Sequence, residues 1–180
     1  MKRLPLAVLA LMLPGALAAQ TGSQLERGEL PGFILGYEAS QGPQTIEEYI
    51  PEGESVERWT RMVTVQHFGP RVTQGQNPID FMERMRGLLA NSCPGAEFDY
   101  LRLFSLRLFS VEGVPAASMR SDCPLNSVTR QPETTFFLAL GRDTNLDIVQ
   151  VAFRHLPEAG EVAWAENYLE TVHLCEENCR

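Results

Sequence analysis

The sequence EEYIPEGESVERWTRMVTVQHF, from Glu47 to Phe68, decides the fold. One strand is predicted to end at Ile50, and the Pro-Glu-Gly-Glu-Ser that follows has the composition of a turn. A second strand comes after the turn, in which Trp59, Val63 and Val65 share one face by alternation. We therefore expect an antiparallel pair of strands here and a buried Trp59. The stretch contains no catalytic motif.

Further strands and two helices are predicted on either side of this stretch. Asn77 is a favourable N-cap and is followed by a proline at the first helical position, which predicts an amphipathic helix. The predicted strands cover 33–38, 45–50, 114–122, 134–140 and 146–155, and the predicted helices cover about 77–91 and 158–175. Strands with helices between and after them, without βαβ alternation, are typical of an α+β fold with a mostly antiparallel sheet covered by helices.

The first nineteen residues have the layout of a cleaved secretory signal. Lys2 and Arg3 precede an apolar run over 4–13, and small residues follow a Pro-Gly break. The run is too short to span a bilayer as a helix. We expect cleavage near Ala18 or Ala19, a flexible N-terminus over 20–31, and a periplasmic or secreted protein without a membrane span.

About 160 residues remain after the signal, enough for one domain, predicted over 32–180. The whole chain has 15 basic and 23 acidic residues. Without Lys2 and Arg3 the net charge is about −10, which disfavours nucleic acid and acidic lipid as partners. The sequence does not indicate an oligomeric state or a cofactor.

Four cysteines, an even number in an exported chain, predict disulfide bonds. The spacing favours Cys93 with Cys123 and Cys175 with Cys179, because the second pair lies one helical turn apart. With His173, Cys175 and Cys179 also have the ligand types of a zinc or copper site. In an oxidising compartment the disulfide is the preferred interpretation.

The segment over 101–110 contains Leu-Arg-Leu-Phe-Ser twice without change. Because five is odd, the two copies would present opposite faces in a regular strand. A bulge, a partly helical segment or burial on both sides would each resolve this conflict. The strand register here stays open.

The pattern Tyr-Ile-Pro-Glu-Gly-Glu-Ser at 49–55, followed by Trp-Thr-Arg-Met-Val-Thr-Val-Gln at 59–66 and a helix ending at Cys-Pro, resembles a group of uncharacterised exported bacterial proteins. That resemblance implies no activity. The order of elements is also similar to the PsbP-like fold, an antiparallel sheet covered by helices. Fold alone does not give function.

Catalytic motifs of the common hydrolases and phosphate-binding loops are absent from the sequence. His67, at the end of a predicted strand, would become a candidate general base if the fold placed Glu38 or Glu48 beside it. No catalytic residue is predicted. The leading hypothesis is a non-catalytic exported binding or accessory protein of the cell envelope that recognises a protein partner.

Two candidate sites follow from residue types and spacing. Glu52, Glu54 and Glu57 lie beside Trp59 and form a candidate surface for a basic partner. Aromatic residues predicted to lie between sheet and helix form a candidate pocket for a small molecule, which is the alternative function: Trp59, Phe81, Trp164 and Tyr168. An enzyme using His67 and nearby carboxylates is the third possibility.

Overall fold

The structure is a computed structural model that describes residues 24–73, 77–100, 110–111, 114–142 and 144–175. The predicted signal over 1–19 and most of the Leu-Arg-Leu-Phe-Ser repeat lie outside these residues. The described strands are β1 Gln24–Glu26, β2 Phe33–Gln41, β3 Gln44–Pro51, β4 Arg61–Phe68, β5 Glu97–Asp99, β6 Ser110–Val111, β7 Val114–Cys123, β8 Glu133–Arg142, β9 Asn145–Phe153 and β10 His173–Cys175. The helices are α1 Pro70–Thr73, α2 Pro78–Ser92 and α3 Ala159–Glu170.

Seven of these strands form one antiparallel sheet in the order β2-β3-β4-β9-β8-β7-β5, and β6 pairs with β7. Helices α2 and α3 cover opposite faces of the sheet. This confirms the predicted α+β fold with an antiparallel sheet and two main helices. In the described part of the chain, no helix is long and apolar enough to cross a membrane.

The opening stretch forms the predicted strand, turn and strand. β3 ends at Pro51, and β4 begins only at Arg61. Trp59 precedes β4 and is 9% exposed, which confirms its burial. It packs with Ile50 and Met62. The expected face shared with Val63 is therefore not found, because Trp59 lies in the connection and not in the strand.

Helix α2 forms as the sequence predicts. The Asn77 side chain accepts a hydrogen bond of 2.9 Å from the backbone N–H of Asp80, and Pro78 occupies the first turn. Phe81 and Met82 of α2 pack against the face of the sheet that carries Phe137 and Ile148. We call this side of the sheet the α2 face.

Helix α3 covers the other side, which we call the α3 face. Ala165, Tyr168 and Leu169 pack on the alternate residues of β8 and β9, among them Phe136 and Val151. The helix ends at Glu170, five residues before the predicted end at residue 175. The reason is that residues 173–175 pair with β1 as a strand, a contact between segments remote in sequence.

The same pairing changes the expected N-terminus. Gln24, Leu25 and Glu26 lie opposite Cys175, Leu174 and His173, so this part of the segment predicted to be flexible forms a strand. Leu25 and Leu30 then pack against the α3-face core. Backbone pairing and apolar burial together hold the segment in place.

A disulfide bond joins Cys93, the C-cap of α2, to Cys123 at the end of β7. This confirms the first predicted pair. Cys175 is also disulfide-bonded. Its predicted partner, Cys179, lies outside the described residues, so that pair stays a prediction.

Candidate partner-binding surface

The negative charge of the chain is concentrated in one segment. Between residues 28 and 57 there are seven glutamates and no lysine, arginine or histidine, while the whole chain has a formal net charge of −8. Most of this segment forms β2, β3 and the turn after them. The glutamates are Glu29, Glu38, Glu47, Glu48, Glu52, Glu54 and Glu57.

Strand β2 is the outermost strand on this side of the sheet, and within the described ranges it pairs only with β3. It carries a group of exposed apolar side chains: Ile34 is 43% exposed, Leu35 45% and Tyr37 46%. An exposed edge strand presents unpaired backbone donors and acceptors. We call β2 and β3 together, with their exposed side chains, the edge hairpin.

The edge hairpin contains a bulge at a crowded glycine. The register between β2 and β3 shifts between Leu35 and Tyr37, at Gly36. A Cβ atom on Gly36 would lie 2.9 Å from Ile50 Cδ1 and 3.1 Å from Val56 Cγ1, both closer than ordinary contacts. The bulge interrupts the edge and leaves Tyr37–Gln41 as its longest regular run.

Two glutamates lie directly opposite each other in this run. Glu38 of β2 is the cross-strand partner of Glu47 of β3. Like charges in this position repel, and the cation that the structure places nearby is Arg27, whose guanidinium lies 4.3 Å from the centre of the Tyr49 ring. The Glu47 carboxylate accepts a hydrogen bond of 2.5 Å from the Tyr49 hydroxyl. On the other face, burial raises the pKa of Glu48.

The three glutamates of the predicted partner surface have different environments. Glu54 accepts hydrogen bonds of 2.7 Å from the backbone N–H and from the hydroxyl of Thr60, so it holds the turn together. Glu52 and Glu57 are exposed. A hydrogen bond from Ser55 lowers the pKa of Glu57, which favours its charged form. Glu52 and Glu57 thus extend the negative surface of the edge hairpin.

The four residues of the predicted pocket do not come together. Trp164 and Tyr168 stack on the α3 face with ring centroids 6.0 Å apart. Phe81 lies in the α2-face core, and Trp59 lies in a separate cluster. The sheet separates the first pair from Phe81, because α2 and α3 cover its two faces. These four side chains therefore do not line one pocket.

A cavity of about 580 Å³ lies elsewhere, beside the β1–β10 pair. Residues 24–29, Thr171 and His173 line it. His173 Nε2 is 3.1 Å from Glu26 Oε2. The Arg27 guanidinium lies 4.3 Å from the centre of the Tyr49 ring. The lining of this cavity is mixed, with charged residues beside Leu25 and no phenylalanine, tyrosine or tryptophan side chain among the described residues that line it, unlike the aromatic pocket that the sequence predicts.

His67 is paired with a carboxylate, but not with either of the expected ones. Its Nδ1 lies 2.9 Å from Asp147 Oδ1 on the neighbouring strand β9. Glu48 is opposite Thr64, so alternation places it on the other face of the sheet from His67. Within the described residues, Asp147 is the only side chain hydrogen-bonded to His67.

The possible metal ligands at the C-terminus are divided between two kinds of contact. His173 pairs with Glu26, and Cys175 is disulfide-bonded. A disulfide sulfur is not a thiolate and does not act as a zinc ligand of the usual kind. Over the part of the chain that the structure describes, no group of three or more His, Cys, Asp or Glu side chains could hold a metal ion.

No protein-family model and no curated protein matches this sequence. Two solved structures of Mog1 are similar to it. A point mutant of protein Mog1 has a TM-score of 0.47 at 11% identity, covering 85% of this chain and 92% of that one. The Ran-binding protein Mog1p of Saccharomyces cerevisiae has a TM-score of 0.45 at 11% identity, covering 85% and 95%. Similarity at these values carries no information about the function of this chain.

Sequence reasoning missed the exposed residues of β2. The sequence of Phe33–Gln41 has no regular alternation of apolar and polar residues, so it does not show which side chains are exposed. Ile34, Leu35 and Tyr37 are exposed because β2 is at the edge, which depends on the order of distant strands. The absence of basic residues over 28–57 is the signal that could have identified this region.

Proposed function

We propose that this protein is a non-catalytic, exported binding protein of the cell envelope whose edge hairpin recognises a basic protein partner. The observation that carries the proposal is that the segment 28–57, with seven glutamates and no basic residue, includes an exposed edge strand bearing Ile34, Leu35 and Tyr37. Charge attracts and orients a partner of opposite sign, and adjacent apolar side chains gain from being buried against it.

Export is supported by two features of the chain. Residues 1–19 have the layout of a secretory signal. The Cys93–Cys123 disulfide is of a kind that persists in oxidising compartments such as the periplasm. Fractionation of the native host is the direct test: the mature protein should be recovered outside the cytoplasm, shortened by the mass of the signal.

A protein is the favoured partner because the other classes fit the surface less well. Nucleic acid and acidic lipid carry the same sign of charge as the edge hairpin and would be repelled. The exposed apolar residues lie along a strand and not in an enclosed cavity, as a small apolar ligand would require. A protein surface with lysine or arginine around an apolar patch complements both properties.

Site-specific photocrosslinking in living cells tests this function. A photoreactive phenylalanine derivative replaces Tyr37 in the edge hairpin, and in the control it replaces Leu88, an α2 residue that is 59% exposed. We expect one reproducible adduct at Tyr37, identified by mass spectrometry as a protein with a basic surface, and none at Leu88. Reversal of charge by Glu38→Lys should abolish the adduct.

Equal crosslinking at both positions would show non-specific contact and contradict the proposal. An adduct that persists in the Glu38→Lys variant would show that charge does not select the partner. Absence of any adduct at Tyr37 across growth conditions would remove the edge hairpin as the binding surface.

A second candidate function is small-molecule binding in the cavity beside β1 and β10. Its volume of about 580 Å³ is within the range of ligand pockets, about 300 to 1,000 Å³. Arg27, Glu26 and His173 would favour a small polar molecule with both donors and acceptors. Native mass spectrometry of protein purified from its host should then show a retained mass that is lost in an Arg27→Ala variant.

A further inference from the structure

Along β2, from Tyr37 to Gln41, the backbone N–H and C=O groups of successive residues point alternately toward β3 and away from it. Gln41 and Gln44 pair across the two-residue turn Gly42-Pro43, and Gly42 has the positive φ of 60° that such a turn uses. The two residues that flank a two-residue turn exchange backbone hydrogen bonds with each other. Farther along the strands, pairs that do not exchange such bonds alternate with pairs that do. By this count, Glu38 and Ser40 direct their N–H and C=O groups away from β3, toward the open edge.

The side chains of the same run alternate in chemical character. Tyr37 and Ala39 lie on the α2 face, opposite Glu48 and Ile46 of β3. Glu38 and Ser40 lie on the α3 face, where Glu38 is beside Glu47. An added strand at this edge would lie beside Tyr37 and Ala39 on the α2 face and beside Glu38 on the α3 face.

We propose that the partner binds by strand addition: an extended segment of alternating apolar and basic residues pairs with Tyr37–Gln41 as a further strand of the sheet. The proposal rests on the function proposed above and names its mode and the chemistry of the partner segment. Backbone hydrogen bonds to Glu38 and Ser40 hold the segment, and its basic side chains lie beside the Glu38–Glu47 pair.

A second copy of this chain is not the favoured partner for the open edge of β2, because two such edges carry the same sign of charge. Two β2 strands placed side by side would bring Glu38 of each copy close to the Glu38–Glu47 pair of the other. Like charges across a strand pair are unfavourable, and a second copy would add glutamates to an edge that already has Arg27 as its nearby cation. A basic segment has the opposite sign at the same positions.

Two substitutions at one position separate backbone pairing from side-chain contact. Ser40→Pro removes the outward N–H and leaves the ladder with β3 intact, as proline is tolerated on the open side of an edge strand. Ser40→Ala removes only the hydroxyl. The probe is a short fluorescent peptide of alternating lysine and valine, and the measurement is fluorescence anisotropy at low salt, with circular dichroism to verify the fold of each variant.

We expect Ser40→Pro to weaken binding of the peptide about tenfold, the effect of one lost hydrogen bond and an acceptor left unpaired. Ser40→Ala should bind like the unaltered protein, and Glu38→Lys should bind more weakly than both. A second measurement uses the unaltered protein: peptide addition should slow amide hydrogen exchange at Glu38 and Ser40. Hydrogen exchange therefore tests backbone pairing with β2 even if the Ser40→Pro variant does not fold.

The outcomes distinguish the two proposals. If Glu38→Lys weakens binding but Ser40→Pro does not and exchange at Ser40 is unchanged, strand addition is overturned and the proposed function stands. If none of the variants changes binding, both are overturned. If the protein instead forms dimers that Ser40→Pro separates, the occupant is a second copy and the basic segment is rejected.

Discussion

Replacing Trp59 with alanine tests whether the connection between β3 and β4 is held by burial. The Trp59 side chain is 9% exposed and packs with Ile50, Met62 and Ala152. The Arg154 guanidinium lies 4.1 Å from the centre of its ring. The variant Trp59→Ala removes the apolar contacts and the cation–π contact together.

The expected loss of stability follows from the size of the side chain. Truncating a large buried aromatic residue to alanine lowers the free energy of unfolding by about 3 to 5 kcal/mol. The contact with Arg154 contributes about 0.5 to 1 kcal/mol of this, because Arg154 is near the surface. With an m-value of about 2 to 3 kcal/mol/M, the urea midpoint should fall by about 1 to 2.5 M.

Urea unfolding followed by circular dichroism measures this effect without using the fluorescence of the residue removed. The matched control is Leu88→Ala, at a position 59% exposed on α2, which should change the free energy of unfolding by at most about 0.5 kcal/mol. A midpoint for Trp59→Ala equal to that of the control would refute the reasoning. Full stability together with lost photocrosslinking would make Trp59 part of the binding surface.

Two further predictions concern stability. Replacing both Cys93 and Cys123 with serine opens a bridge with a sequence separation of 30 and should cost about 3 to 4 kcal/mol, seen as a lower urea midpoint without reductant. An unchanged midpoint would show that the bridge is not formed. Burial raises the pKa of Glu133 in the folded protein, because a charged carboxylate is less favourable there than in water. The folded state is therefore less stable when Glu133 is charged, and stability falls as the pH rises through the folded-state pKa of this residue. Glu133→Gln should therefore raise the thermal midpoint at neutral pH and lose that advantage below the ordinary glutamate pKa of 4.5. A variant less stable than the unaltered protein at neutral pH would instead show that the contacts of Glu133 with Arg154 and Thr135 dominate.

Local signals in the sequence account for most of the secondary structure. The Asn77 cap and the proline after it fix the start of α2, and the two-residue turn Gly42-Pro43 fixes the hairpin of β2 and β3. The strand over 114–123 ends at Cys123 within a residue of its expected end. These features depend on neighbours in the sequence, so one sequence is sufficient to find them.

Features that depend on remote contacts could not be predicted in this way. Residues 173–175 continue the apolar pattern of α3, but they form a strand because β1 is beside them. The spacing of Trp59, Val63 and Val65 fits a strand, but Trp59 lies before β4 begins at Arg61. Its side chain therefore packs with Met62 and Ala152 and not on the face of Val63. The exposure of Tyr37 follows from the place of β2 at the end of the strand order. The candidate surface was therefore recognised only in part, through the turn glutamates Glu52 and Glu57.

The pairing of β1 with β10 has a consequence for how the fold is completed. Gln24 and Cys175 are partners although about 150 residues separate them, so the contact closes a loop that includes the whole sheet. During synthesis β1 is made before β10, so it cannot pair until about 150 further residues have followed. A chain truncated before β10 could not form this pair, so protection of the β1 amides from hydrogen exchange would report that β10 is in place.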